Sequence, residues 1–174
     1  YFQQAAALNH PESFNYLGTC YENGTGVEKN ISEAIRCYTE AARLGNSNSL
    51  NNLGTCYKNG EGVEKNLPKA IDYFRRSADL GNSFGMYNLG ICYQKGEGVE
   101  KDLTIGFGYF QKSATLGCIN SISQLGVCYL LGKGVEKDLS KAIEYFQQSA
   151  KHGNSNSLHF LGTIYLLEAN INND

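Results

Sequence analysis

The chain has 174 residues, of which 41% are hydrophobic, with a formal net charge of -2 and an isoelectric point near 5.9. It can bury a core, but it has no excess of positive charge for a phosphate backbone, so we expect no nucleic acid as a partner. No apolar run approaches the roughly 18 residues of a membrane span, so we expect no membrane insertion.

The sequence repeats itself at a constant spacing. The dipeptide Leu-Gly returns every 36 residues, at Leu17-Gly18, Leu53-Gly54, Leu89-Gly90, Leu125-Gly126 and Leu161-Gly162. A constant period of this length is typical of a solenoid of stacked units. The start of the chain fits the same register, because Tyr1-Phe2-Gln3-Gln4 matches Tyr145-Phe146-Gln147-Gln148 four periods later. We therefore predict one repeat array over residues 1–174, with these parts in chain order: the end of a preceding repeat (1–9), four full repeats (10–45, 46–81, 82–117 and 118–153), and the first helix of a further repeat with a tail (154–174).

Each repeat begins with a predicted amphipathic helix. In the second full repeat, Leu50, Leu53, Gly54 and Tyr57 follow the spacing i, i+3, i+4, i+7, which places them on one side of a helix, facing the core. A glycine is expected to end this helix, because the left-handed conformation at a helix terminus suits glycine. The glycines in this position are Gly24, Gly60, Gly96 and Gly132.

A short loop then leads into a second predicted helix. An Asn or Asp side chain is expected to cap the start of that helix. The capping residues are Asn30, Asn66, Asp102 and Asp138. The core side of the second helix again follows a helical spacing, with Leu67, Ala70, Ile71, Phe74 and Ala78 in the second full repeat. A further glycine ends it, at Gly45, Gly81, Gly117 or Gly153, and Asn9 occupies that position in the first segment.

These residues carry a resemblance to a known family. The pattern L-G-x-x-Y-x-x-G-x-G-V-x-K-[ND]-x-x-x-A-[IL]-x-[YW]-[FY]-x-x-[AS]-A-x-x-G is similar to the Sel-1-like repeat, a relative of the tetratricopeptide repeat, and it covers almost the whole chain. The resemblance implies an all-α fold, a right-handed superhelical solenoid of antiparallel helix pairs. It also implies an adaptor or scaffold of the kind found in signalling, protein quality control and cell-wall assembly.

The six cysteines are interpreted as small buried residues. Four of them occupy one column of the repeat, which puts neighbours roughly 10 Å apart, beyond the limit of roughly 7 Å between the Cα atoms of a disulfide. These are Cys20, Cys56, Cys92 and Cys128. We therefore expect mostly reduced thiols and no metal site. The sequence leaves open whether Cys37 pairs with Cys20. Cys118 replaces the Asn that begins the first helix in other repeats, so we expect it to be the most reactive thiol.

No enzyme is predicted from the remaining residues. The G-x-G-V turn follows a helix in every repeat, whereas a phosphate-binding loop follows a strand and carries Lys-Ser or Lys-Thr at a set offset. The histidines His10, His152 and His159 are scattered, with no nucleophile or carboxylate pair at an informative spacing. We therefore predict no catalytic residue, no cofactor and no metal. A bacterial branch of the family is linked to beta-lactam hydrolysis, but the regular cysteine pairs of that branch are absent from this sequence.

The side of the first helix opposite its core stripe is the predicted binding surface. If the array curves like a tetratricopeptide array, this side lines a concave groove. Its early part carries short hydrogen-bonding side chains suited to an extended peptide, and its later part carries apolar side chains. The predicted groove residues are Asn15, Thr19, Asn48, Asn51, Asn52, Thr55, Lys58, Phe84, Tyr87, Ile91, Gln94, Val127, Leu130, Leu131 and His159. We expect Phe84, Tyr87 and Ile91 to face away from the core and to anchor the partner. An alternative role, packing against a C-terminal cap, applies to Leu130, Leu131, Leu166 and Leu167.

A second contact site is predicted on the convex face, at Ile105, Cys118 and Ile119. The sequence thus favours a protein-interaction module that binds a partner protein or an extended peptide. One alternative is a structural spacer or a self-associating array that docks through Tyr165 and Ile164, and a less favoured one is a hydrolase like the bacterial branch. The sequence does not indicate the compartment or the identity of the partner.

Overall fold

A computed structural model of the chain describes residues 10–171, with side chains up to residue 167. This part of the chain is helical and contains no strand, so the predicted all-α fold is confirmed. Its helices are α1 (Pro11–Asn23), α2 (Ile31–Arg43), α3 (Ser47–Asn59), α4 (Leu67–Asp79), α5 (Ser83–Lys95), α6 (Leu103–Thr115), α7 (Ile119–Leu131), α8 (Leu139–Lys151) and α9 (Ser155–Ile171). The expectations for Tyr1-Phe2-Gln3-Gln4 and for Asn9 lie outside the described residues.

The helices pack in the order in which they follow one another. Each helix from α1 to α8 contacts the next, and α3 also contacts α5. Contacts between neighbours in sequence are the defining property of a solenoid, in which stability comes from each repeat and its interface with the adjacent one. Odd-numbered helices are the first helices of the repeats, and even-numbered helices are the second.

The Leu-Gly dipeptide packs the odd-numbered helices α1, α3, α5 and α7 against the helix that follows each of them. Leu53 is 1% exposed, and a Cβ atom built on Gly54 would lie 2.5 Å from Cε1 of Phe74. The missing Cβ therefore leaves the space that the fully buried ring occupies. The same contact recurs between Gly18 and Tyr38, Gly90 and Phe110, and Gly126 and Phe146, where the nearest ring atoms lie 2.5 to 2.7 Å from the built Cβ.

The predicted helix ends are confirmed. Gly24, Gly60, Gly96 and Gly132 have φ angles of 73°, 80°, 74° and 68°, the left-handed conformation in which a side chain is strained. The predicted caps accept a hydrogen bond from the backbone amide three residues later, at 2.8 to 3.1 Å, through the Oδ1 atoms of Asn30, Asn66, Asp102 and Asp138. Asn46, Asn82 and Asn154 cap odd-numbered helices in the same way, whereas Cys118 makes no side-chain cap at α7.

A column of buried serines, which the sequence analysis did not identify, holds the two helices of a repeat together. Ser77 donates its hydroxyl to the main-chain carbonyl of Ser47 at 2.8 Å, and Ser113 does the same to Ser83 at 2.7 Å. Both donors are 0% exposed, so these bonds satisfy polar groups in a place where water has no access.

The cysteines are free thiols, as predicted for most of them. Cys56, Cys92 and Cys128 are at most 3% exposed, and burial raises the pKa of Cys56 and of Cys128 to about 11. The expectation that Cys118 is the most reactive thiol is wrong, because its side chain is only 4% exposed under the turn that precedes α7. Cys20 is the one cysteine that is not buried.

We expect a single thiol to react quickly in the native protein. The thiolate is the reactive form, and burial both shields the other cysteines and disfavours the charged state. Counting thiols with a colorimetric disulfide reagent should give one fast thiol, at Cys20, and six after denaturation. A Cys20→Ser variant should lose the fast reaction. Fewer than six thiols in the denatured wild-type protein would contradict the free state of the cysteines.

Substitutions in the glycine column test the packing of rings on glycines. We expect Gly54→Ala to lower the free energy of unfolding by roughly 1–3 kcal/mol, because the new methyl group overlaps the Phe74 ring. Gly162 occupies the same column in α9 but has nothing within 4 Å of a built Cβ, so it provides the matched control. Gly162→Ala should instead stabilise by roughly 0.5–1 kcal/mol through helix propensity. Denaturant titration measures both changes, and equal effects would contradict the steric explanation.

Candidate functional site

The surface stripe of the odd-numbered helices forms one continuous face, which we call the A face. It consists of the positions equivalent to residues 48, 51, 52, 55 and 58 of α3 in each odd-numbered helix. The stripes are joined because α3 and α5 touch, and because side chains make hydrogen bonds from one odd-numbered helix to the next. Most of the predicted groove residues lie on this face.

Asparagines link neighbouring odd-numbered helices across the A face. Oδ1 of Asn15 on α1 accepts hydrogen bonds from Ser49 Oγ at 2.8 Å and from Asn52 Nδ2 at 3.2 Å, both on α3. Oδ1 of Asn51 on α3 accepts a bond from Nδ2 of Asn88 on α5 at 2.8 Å. The asparagines therefore have a structural role that the sequence analysis did not foresee, since it treated them only as partner-binding groups.

Each of these amides has a second polar group that makes no bond within the described part of the chain. The unpaired groups are the Nδ2 donors of Asn15 and Asn51 and the Oδ1 acceptors of Asn52 and Asn88. All four side chains are half-buried. The A face thus presents two fixed donors and two fixed acceptors along α1, α3 and α5.

Other polar residues of the predicted groove are already engaged. Thr19 and Thr55 donate their hydroxyls to carbonyls one turn earlier in their own helices, at 3.1 and 3.2 Å. Gln94 donates to the buried Sγ of Cys128 at 3.1 Å. The cation Lys58 lies at the end of this stripe and is half-buried. The remaining hydrogen-bonding capacity of the A face therefore lies chiefly with the asparagines.

The expectation that Tyr87 and Ile91 face away from the core is wrong. Both pack against the buried cluster around Phe110 and Leu125, and the rings of Tyr87 and Phe110 have centroids 5.9 Å apart. Burial also raises the pKa of Tyr87. The physical reason is size, because a long side chain at this position reaches between α5 and α7, whereas the shorter Asn51 bonds to the neighbouring helix.

The apolar groove residues nearer the end of the chain also differ in burial, since some pack against the core and others are exposed. Val127 and Leu130 pack partly against the cluster formed by α8 and α9, while Leu131 is 49% exposed. The exposed His159 lies next to Phe160, with ring centroids 6.3 Å apart. Val127 and His159 line one cavity of about 360 Å³ between α7 and α9.

Phe84 is 52% exposed, as an anchor residue should be, but it does not form a cluster with Tyr87 and Ile91. It lines an open cavity of about 500 Å³ together with Cys118 and Ile119, near the turns that precede α7 and α9. Cys118 and Ile119 of the predicted convex site therefore line the same cavity as Phe84 of the predicted groove. Ile105, which is 44% exposed, lines a different cavity with Tyr93, so the predicted convex site is not a single site.

In three repeats the first and second helices also meet through stacked tyrosines. Tyr57 stacks on Tyr73, Tyr93 on Tyr109, and Tyr129 on Tyr145, with centroids 5.6, 5.7 and 5.6 Å apart. Lysine ammonium groups lie 4.2 to 5.7 Å from three of these rings. Two tyrosine columns with the 36-residue period were the sequence signal for this feature, and Cys37 interrupts one of them. We assign the stacks a structural role.

The described residues hold no group of three or more His, Cys, Asp or Glu side chains that could bind a metal ion. A search of residues 10–171 also finds no helix with the length and apolar character needed to cross a membrane.

Comparison with known proteins identifies relatives over most of the chain. A family model described as Sel1 repeat matches residues 1–10, 11–46, 47–82, 83–118 and 120–154. The structure of a Sel1 repeat protein from Oxalobacter formigenes is 33% identical with a TM-score of 0.87, over 94% of this chain and 66% of that one. The structure of c5321, a protective antigen of uropathogenic Escherichia coli strains with an SLR fold, is 31% identical with a TM-score of 0.82, over 98% of this chain and 36% of that one.

One curated relative matches a single short region. DAP3-binding cell death enhancer 1 of Rattus norvegicus is 47% identical over 38 residues, which are 22% of this chain and 8% of that protein. The chain therefore spans only part of the length of each of these relatives. The family model, in contrast, extends over five consecutive matched segments that together include most of the chain. The chain belongs to the Sel1 repeat family, whose members are typically protein-interaction modules.

Proposed function

We propose that this chain is an adaptor module that binds an extended segment of a partner protein along the A face. The observation that carries the proposal is the set of unpaired amide groups on Asn15, Asn51, Asn52 and Asn88. An extended backbone offers a carbonyl acceptor and an amide donor at each residue, so it can pair with both kinds of group. Bonds within the solenoid already fix the asparagine side chains, so binding requires little further ordering.

Apolar contacts and hydrogen bonds together can supply the necessary affinity. A micromolar complex needs about 8 kcal/mol. Each intermolecular hydrogen bond contributes roughly 0.5–1.5 kcal/mol, and burying one apolar side chain contributes roughly 1.5–3 kcal/mol. Charge makes a small contribution, since the charged residues of the A face are only Glu12, Glu22 and Lys58 and exposed pairs are worth at most about 1 kcal/mol.

A second candidate function is self-association through α9, and one observation favours it. Leu158, Tyr165 and Leu166 are 58%, 47% and 68% exposed. Leu50 of α3, which is equivalent to Leu158, is 2% exposed and belongs to a buried cluster with Tyr38 of α2. Ile164, which was expected to share this surface, is 7% exposed and belongs to the core. A surface of this composition favours association with another apolar surface.

Substitution of Asn15 and Asn51 by Asp tests the A face. The Asp side chains keep the oxygen that bonds to the neighbouring helix and replace the unpaired donor with an acceptor. Dodecamer peptides selected from a random library displayed on phage serve as the probe, with affinity measured by fluorescence anisotropy. We expect the Asn15→Asp/Asn51→Asp variant to bind at least tenfold more weakly, with little change in melting temperature, because a carboxylate repels a peptide carbonyl.

The matched control adds the same charge elsewhere. Gln111 and Gln148 are exposed on α6 and α8, outside the A face, so Gln111→Glu/Gln148→Glu should leave peptide binding unchanged. Equal binding by all three proteins, or failure to select any peptide, would contradict binding of an extended segment on this face.

Self-association is tested by sedimentation at increasing protein concentration. If the chain self-associates, its sedimentation mass should rise above that of the monomer as the concentration increases. Leu166→Glu should abolish this rise, because it places a charge in the apolar contact. Leu80, which is 55% exposed near the start of α5, provides a control in which Leu80→Glu leaves the rise unchanged. A constant monomer mass at every concentration would rule this function out.

A further inference from the structure

Two of the junctions between neighbouring repeats are joined by a pair of asparagines where the odd-numbered helices begin. At the junction between α1 and α3 the acceptor position is Glu12, which is also polar. Between α3 and α5, Asn82 Nδ2 donates to Asn48 Oδ1 at 2.7 Å. Between α7 and α9, Asn154 Nδ2 donates to Asn120 Oδ1 at 3.5 Å. The donor is the cap of the later helix, and the acceptor is the second residue of the earlier one. The contact thus connects successive repeats on the side where the turns lie.

The junction between α5 and α7 lacks this pair, although it occupies the same place in the repeat. The acceptor position is Phe84 and the donor position is Cys118. The residue after Cys118 is Ile119, where α3, α5 and α9 have serine. Three polar positions of the repeat have therefore become apolar at one junction. These three substitutions lie close together in the structure. The fold does not require them, because other junctions have polar residues at the same positions, so we infer that they serve a function at this junction.

These departures surround the cavity of about 500 Å³ that Phe84 lines. Leu116 completes its apolar wall, and Phe84 and Leu116 are 52% and 53% exposed. Asn120, His152 and Asn154 supply polar groups, and no Asp, Glu, Lys or Arg is among the lining residues. A charged side chain placed here would lose hydration without meeting a carboxylate, an ammonium or a guanidinium group, whereas an apolar one would cover two exposed apolar groups.

We propose that this cavity receives an uncharged aliphatic or aromatic side chain of the segment bound on the A face. This inference rests on the proposed function and names the chemistry of the bound segment. Phe84 lies four residues before Asn88 on α5, so the cavity and the last unpaired acceptor of the A face share one side of the helix, about 6 Å apart along its axis. A side chain from the part of the segment that bonds to Asn88 would therefore lie near the cavity.

The sharpest test restores the junction used elsewhere in the chain. Phe84→Asn/Cys118→Asn should re-create the asparagine pair, cap α7 and remove the exposed Phe84 ring from the apolar wall, so the melting temperature should stay equal or rise. We expect dodecamers selected from a random phage library on the wild-type protein to share one Leu, Ile, Val, Met or Phe position. Their affinity for this variant should fall at least tenfold, and replacing the shared residue with Glu or Lys should have at least the same effect.

A second substitution has a matched control. Leu116→Ser removes part of the wall at an exposed position and should weaken binding severalfold. Leu80 occupies the same position of the preceding repeat with 55% exposure and lies outside the cavity lining, so Leu80→Ser should leave binding unchanged.

The possible outcomes separate this inference from the proposed function. If Phe84→Asn/Cys118→Asn binds the selected peptides as well as wild type, while Asn15→Asp/Asn51→Asp does not, the cavity inference is wrong and binding along the A face stands. Selected peptides without a shared apolar position would also overturn the cavity inference. If neither variant weakens binding, or if no peptide is selected, both proposals are wrong.

Discussion

The contact between an aromatic ring and a glycine is the interaction on which the solenoid depends. A buried ring from each even-numbered helix occupies the space that a Cβ would fill on the preceding helix, as Phe74 does over Gly54. This contact sets how closely the two helices of a repeat approach. Close approach buries the leucine beside the glycine. Because the contact recurs every 36 residues, the odd-numbered helices lie side by side and form the A face.

In a repeat protein, a residue that differs from its equivalents in the other repeats indicates a role at one place in the structure. A position that keeps the same chemical type in most repeats serves the fold, as do the buried serines Ser77, Ser113 and Ser149 and the Asn or Asp helix caps. A residue that departs from the column acts at one place only. Phe84, Cys118 and Ile119 depart together around one cavity, and Tyr87 departs where a ring joins the core instead of extending the asparagine links. Exposure separates these two cases, since Phe84 is 52% exposed and Tyr87 packs on Phe110.

The A face has both a structural and a recognition role in our proposal. In each of these asparagines one polar group bonds to the neighbouring helix and the other stays unpaired. Asn51, for example, accepts a bond from Asn88 through Oδ1, and its Nδ2 group is unpaired. The first bond fixes the direction in which the second group is presented. A flexible surface side chain would lose rotamer entropy on binding, whereas these amides are already held in place by the scaffold. The arrangement therefore links the stability of adjacent repeats to the geometry of recognition.

The sequence by itself determined the helices, their ends and their order, because helical spacing, glycine turns and Asn or Asp caps are local features that the 36-residue period repeats. It did not determine which face a residue on the edge of a stripe joins. Tyr87 and Ile91 were expected to face solvent, and Cys118 was expected to be reactive, yet Tyr87 and Ile91 pack against a buried cluster and Cys118 is buried. Helical periodicity describes one helix, whereas burial at a stripe edge depends on how near the next helix lies and on the side chains that it presents. Only the tertiary structure could therefore bring Phe84 to Cys118 and Ile119.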